Sequence, residues 1–227
     1  MSKLENLKWI KNNFGETINS KFKDTLFDPK IAIAIAQQET GYLIAKMRNA
    51  GVPTNIILQN CVGDTLDTPN RKAFPINKAD LLSQSDGDEM FQTAREALSF
   101  IAEYDTAYAK VLKNEKKFCH GYGIFQYDLQ FFLTDKEFFI NKEWYNFESC
   151  LNKMFKEINH VANYIYPNIQ DNYTDTQLTY IAIGYNKGAR GVKINKNFKQ
   201  GYKDGEKYYG EHIHDSIQLL NTISDEA

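Results

Sequence analysis

The chain of 227 residues is poor in the side chains that impose special chemistry or rigidity, with three Cys, five Pro, two Trp and four His. Cys61, Cys119 and Cys150 are odd in number, widely spaced and form no CxxC pair. That excludes a disulfide scaffold and a cysteine zinc centre, allows at most one disulfide and makes free buried thiols the default. A formal net charge of −2 supplies no global field to draw nucleic acid or an anionic membrane. No run approaches the roughly 20 apolar residues of a membrane span. The first residues, MSKLENLKWIKNNFGE, lack the long apolar core of a secretory signal. There is no P-loop, no dinucleotide fingerprint, no DxDxDG calcium loop and no internal repeat. What is present is ordinary for a globular protein with a real core: 42% hydrophobic and 25% charged residues. Aromatics are abundant at 14%; they line sugar clefts, though core filling is their commoner use. The length suits one large domain or one domain carrying a long insertion.

The stretch Asp28 to Tyr42, DPKIAIAIAQQETGY, organises the rest. Its Ile–Ala alternation fits a strand, but Asp-Pro opens helices and Ala disfavours strands, so a buried helix over Asp28 to Thr40 is expected. Asp28 suits the N-cap, Pro29 the first turn, and Gly41 the stop. On that helix Ile31, Ile35 and Glu39 share one face, which puts a carboxyl at the edge of an apolar stripe. Partial desolvation there favours the protonated form, which is what a general acid needs. The bland alternative is a solvated Glu in a last helical turn.

Around this helix the pattern is mainly helical. An amphipathic helix is expected over residues 3–14, ended by Gly15. Loops, short helices and a small hairpin are expected over 43–87, where Asp64, Asp67, Asp80, Asp86 and Asp88 read mostly as solvated turn residues, any one of which could reach a cleft. Apolar spacing predicts single helices over 88–113 and 144–166, the second closed by Pro167. Gly121 to Asp128, GYGIFQYD, brings two glycines ahead of an apolar pair, as a ligand-hugging loop or a turn into a helix would. If extended, it points Gln126 and Asp128 to the same side. Thr174 and Gln177 form a capping box that opens a helix from Asp175 to about Tyr185. Tyr185 and Asn186 at its end could hold a sugar hydroxyl or merely cap it. A basic stretch over 193–207, with aromatics interleaved, could touch an anionic polymer but reads sooner as a solvated loop. A last helix is expected over 208–223; its His212 and His214 have no matching ligand cluster for a metal.

Three separated pieces then fall into a recognisable order: Gln38-Glu39-Thr40, Gly123-Ile124-Phe125-Gln126 and Gly184-Tyr185-Asn186-Lys187-Gly188, followed by a helix carrying Tyr209. In this order the chain resembles the goose-type lysozyme and soluble lytic transglycosylase superfamily from Asp28 to Leu220, with a gap. The resemblance implies a mainly α, lysozyme-like α+β fold, with helices around a central buried helix ending at Glu39. The whole chain, 1–227, would be one catalytic domain with a long helical insertion at about 43–118. It makes Glu39 the catalytic acid, sets Gly123, Ile124 and Gln126 beside the scissile sugars, and gives Tyr185 and Asn186 substrate positioning. Tyr209 would hydrogen-bond near Glu39. Asp128 directly follows the Gln-containing loop, as in goose-type lysozymes, where such a carboxylate holds a water and the two carboxyls stand about 6.5–9.5 Å apart. The chain departs from the family's pattern in three ways. The segment between Glu39 and Gly123 is longer, leaving the family's second assisting Asp unplaced. Phe125 stands where Met is usual, and Lys187 where a small residue is.

The implied activity is a muramidase that hydrolyses the β-1,4 bond between N-acetylmuramic acid and N-acetylglucosamine, without a metal or other cofactor. The rival chemistry is a lytic transglycosylase, in which the substrate's own C6 hydroxyl attacks and leaves an anhydro sugar. A non-catalytic glycan-binding module and a chitinase are the further alternatives. The implied partner is the peptidoglycan glycan strand, with an immunity or inhibitor protein as a second; no nucleic acid partner and no membrane span are expected, and the chain is expected to be a monomer. It would act on the cell wall, in the periplasm or outside the cell. The missing signal favours a delivered effector or a phage lysin over a wall-remodelling enzyme.

Overall fold

A computed structural model describes residues 2–65, 71–194 and 197–223. The chain is mainly helical, 62% helix against 7% strand. In chain order the helices are α1 (Lys3–Phe22), α2 (Lys30–Asn49), α3 (Thr54–Gln59), α4 (Lys78–Leu82) and α5 (Gly87–Ala102). They continue with α6 (Thr106–Leu112), α7 (Lys136–Ile140), α8 (Phe147–Ile165), α9 (Asp175–Lys187) and α10 (Tyr209–Leu220). The strands are β1 (Val62–Thr65), β2 (Cys119–Tyr122), β3 (Tyr127–Asp128), β4 (Lys203–Asp204) and β5 (Lys207–Tyr208). The chain divides into two compact units, Met1–Gly41 with Leu151–Ala227, and Tyr42–Cys150.

In the first unit, Ser2 and Glu5 form a capping box that starts α1. Leu7, Ile10, Phe14, Ile18 and Phe22 recur at helical spacing and are buried. The helix runs through Gly15, against the expected stop there. A glycine inside a helix costs about 1 kcal/mol relative to Ala, and the apolar face continuing through Ile18 and Phe22 outweighs it. Phe22, Phe27, Phe155 and Tyr173 then close into an aromatic cluster.

Asp28 caps α2 as expected, its Oδ1 accepting from the Lys30 N–H at 2.9 Å. Ile31 to Ala36 are buried, none more than 5% exposed. The helix does not end at Glu39, however; it continues to Asn49. Gly41 is a point of close approach rather than a stop. A Cβ there would meet the Gln37 side-chain amide, and the Asn6 amide donates to the Gly41 carbonyl at 2.7 Å and to Gln37 Oε1 at 2.9 Å. The capping box predicted at Thr174 and Gln177 opens α9, and α9 packs on α10. Lys30 ties the N-termini of α2 and α9 together through Asp28 at 3.0 Å and Asp175 at 2.8 Å.

The second unit is built on an antiparallel sheet in the order β1-β2-β3. Among the described residues the hairpin lies at β2–β3 rather than within 43–87, and β1 reaches it from a distant part of the sequence. The expected single helix over 88–113 breaks into α5 and α6. Asp105 causes the break: it caps α6 by accepting from the Ala107 N–H at 2.7 Å and pairs with Lys46 at 2.7 Å. Burial opposes its charge, but these bonds hold its carboxyl below the usual range. The helix predicted over 144–166 is α8, starting at Phe147; Trp144 precedes it in a 3-10 turn.

Candidate functional site

In the first unit, α2 and α10 bring Glu39 and Tyr209 together. The Tyr209 hydroxyl donates to Glu39 Oε1 at 2.8 Å, linking residues 170 positions apart. Tyr209 is buried and Glu39 half-buried. Burial, the neighbouring Glu39 carboxyl and its hydrogen bond, and then Tyr185, all push the Tyr209 phenol far above its ordinary range. It stays neutral and serves as a fixed donor. Asn186, at the end of α9, turns toward the backbone, accepting from the Tyr202 N–H at 3.1 Å. A Cβ on Gly201, whose φ is +84°, would meet Tyr209 Cβ at 2.7 Å and Asn186 Oδ1 at 2.9 Å. Asn186 thus braces the turn beside Tyr209, and Tyr185 is half-buried nearby.

The other predicted residues lie in the second unit, on the β2–β3 hairpin. Gly123 (φ +75°) and Gln126 (φ +54°) bound the turn, and the Gln126 N–H donates to the Gly123 carbonyl at 2.9 Å. Gly123 is required there twice over: by its left-handed backbone, and because Cys150 Sγ occupies the place of a Cβ. Ile124 and Phe125 are buried, so they anchor the turn in the core. Gln126 is left-handed rather than extended, so it does not alternate with Asp128 as expected. Its amide donates to the carbonyls of Cys61 at 3.2 Å and Gly123 at 2.9 Å.

Asp128 is heavily engaged. Arg71 approaches both of its oxygens, at 2.7 Å and 3.2 Å. Oδ1 also accepts from the Gln130 N–H at 2.7 Å, and Oδ2 lies 3.1 Å from His120 Nδ1. Burial works against the charged carboxylate, but the bonds to His120 and Arg71 outweigh it and hold the pKa below the ordinary value of 3.8. Arg71 is itself braced by the carbonyls of Phe74 and Pro75 at 2.9 Å and 3.2 Å.

Beside this cluster lies a pocket of about 520 Å³ whose lining includes Tyr42, Asp64, Thr65, Tyr108 and His120. The Tyr42 and Tyr108 hydroxyls meet at 3.1 Å. Asp64 is exposed and adopts a left-handed backbone (φ +44°), a conformation that costs a non-glycine residue energy and gathers at functional sites. The sequence offered Asp64 only as one of several turn carboxylates that could reach a cleft, and gave no role to Arg71 or His120. The available signal was the carboxylate directly after the apolar Cys61-Val62 and Gly63, a strand-end pattern. Among the described residues no group of three or more His, Cys, Asp or Glu could hold a metal; His212, singled out above, faces Asp204 at 2.6 Å. No described helix is long and apolar enough to cross a membrane.

Compared with protein-family models, curated proteins and solved structures, the chain matches none. The functional reading therefore rests on this chain's own residues.

Proposed function

We propose that the chain is a peptidoglycan-cleaving muramidase of lysozyme-like architecture, in which Glu39 protonates the glycosidic oxygen between N-acetylmuramic acid and N-acetylglucosamine. The observation that carries this reading is the hydrogen bond from the buried Tyr209 to Glu39. The phenol fixes the orientation of the carboxyl that is to deliver the proton. The pairing joins the two motifs, around residue 39 and in the closing helix, on which the resemblance rests.

One observation favours the transglycosylase as a second reading. The hydrolytic route needs a carboxylate to activate water, and Asp128, the residue expected to do so, is tied up by Arg71, His120 and the Gln130 N–H. Measuring reducing ends released from purified peptidoglycan tests the proposal. Wild type should release them as a hydrolase or give anhydro ends as a transglycosylase, and Glu39→Gln should do neither. Cleavage of chitin but not peptidoglycan would point to a chitinase. Wall binding without cleavage would leave only a glycan-binding module.

A further inference from the structure

The basic stretch over 193–207, with its interleaved aromatics, is unused by the functional reading and belongs to the first unit. Its residues 198–202 run as a strap along the start of α10. The Gly210 N–H donates to the Gln200 carbonyl at 3.1 Å, and the Tyr209 N–H to the Tyr202 carbonyl at 2.7 Å. The buried Gln200 side chain ties both backbone groups of Lys193, at 2.8 Å and 2.7 Å. The Tyr202 N–H reaches Asn186 Oδ1 at 3.1 Å, and Gly201 is pressed against Asn186 and Tyr209. β4 and β5 then pair Lys203 with Tyr208. The backbone of Tyr202 is thus fixed from both sides, onto Asn186 and onto the same Tyr209 that holds Glu39. Its side chain, by contrast, is 72% exposed, more than any other large hydrophobic residue described. Among the described residues neither its ring nor its hydroxyl has a hydrogen-bonding, ionic or aromatic partner.

We propose that Tyr202 is a stacking platform for one pyranose ring of the glycan strand, in a subsite beside Glu39. The inference rests on the glycan-cleaving reading and adds a substrate-binding residue to it. An exposed aromatic on a fixed backbone presents a flat apolar face with little ordering left to lose on binding. A pyranose ring offers a matching face of C–H groups with hydroxyls at its rim, which suits a phenol with an apolar body and a polar tip. One backbone hydrogen bond joins the platform to Tyr209, whose hydroxyl meets Glu39. A ring seated there therefore belongs to the strand whose bond Glu39 protonates. The lysines of the stretch invite an anionic polymer instead, but the two that follow Tyr202 are engaged. Lys203 Nζ lies over the Tyr208 ring at 5.5 Å, and Lys207 pairs with Asp215 at 2.5 Å. Stacking away from the reacting atoms strengthens ground state and transition state alike, so its loss is read in affinity rather than in turnover.

The test combines two measurements on the full chain with Tyr202, Tyr202→Ala or Tyr202→Trp. One is steady-state cleavage of purified peptidoglycan; the other is calorimetric binding of an N-acetylglucosamine hexamer in a Glu39→Gln background. Tyr202→Ala should raise KM and the hexamer Kd about 3–10-fold while kcat stays close to wild type. The melting temperature should hold, because an exposed ring contributes little to the fold. Tyr202→Trp, which keeps a ring, should restore both constants. Unchanged KM and Kd in Tyr202→Ala, with cleavage by wild type, would overturn the platform alone. So would a fall in kcat matched by a fall in melting temperature, which would make Tyr202 a brace for Tyr209. Binding that weakens with salt but not with Tyr202→Ala would assign the stretch to an anionic polymer and overturn the platform too. No cleavage by wild type, with hexamer binding that Tyr202→Ala weakens, would sink the enzymatic reading and keep the platform. Neither cleavage nor hexamer binding would overturn both.

Discussion

Glu39 and Asp128 are both half-buried carboxylates held by side chains remote in sequence, the first by a phenol and the second by a guanidinium and an imidazole. Glu39 receives a hydrogen bond from a neutral phenol that burial keeps protonated. Asp128 is gripped by a guanidinium and an imidazole and is held ionised. On the proposed reading Glu39 delivers a proton, whereas Asp128, beside a cation, is suited to anchor or orient. Comparable burial does not bring comparable partners.

The largest expected effect comes from removing the proton at the first carboxyl. Glu39→Gln should lower glycan cleavage on the order of 100-fold or more while leaving wall binding intact, as a pull-down on insoluble peptidoglycan would show. In the second unit, Gly123→Ala should destabilise by about 2–4 kcal/mol in urea unfolding. It forces a Cβ into a left-handed position and against the buried Cys150 Sγ, and both penalties apply. Arg71→Met removes the cation that defines the second carboxylate and should cost about 1.5–3 kcal/mol. It should also raise the Asp128 pKa, which carboxyl NMR titration would register.

Acid sharpens the contrast further. Asp105, Asp128 and Asp175 all lie below their ordinary value of 3.8 in the folded chain: burial opposes each charge, and paired donors overcome it. A depressed carboxylate stabilises the fold above its unfolded pKa, and that contribution is lost as pH falls through the folded value. Stability should therefore be level near neutrality and decline progressively below about pH 4, with Arg71→Met showing a smaller decline. The smallest effect is expected at the neutral donor. Tyr209→Phe should cost about 1 kcal/mol in stability and roughly tenfold in rate, with no change in the acid limb of stability.

Sequence pattern found the helices whose ends are set locally. The Thr174–Gln177 box marks the start of α9, and Pro167 follows α8 closely. It failed where a distant side chain decided the outcome. Gly41 looks like a stop until Asn6 is seen bonding to its carbonyl. Residues 88–113 look like one helix because the apolar spacing carries through, although no residue of α6 is buried and Asp105 restarts the chain. The Glu39–Tyr209 pairing followed from motif order. The surroundings of Asp128 did not, because Arg71 lies 57 positions away in a stretch with no regular pattern.

Mass spectrometry of muropeptides released from purified peptidoglycan by wild type and by Glu39→Gln tests the central claim most directly. The account predicts disaccharide muropeptides from the wild type, with reducing ends if water attacks and anhydro ends if the substrate's own hydroxyl does. It predicts neither product from the variant. Equal product from Glu39→Gln, or none from a folded wild type, would contradict it.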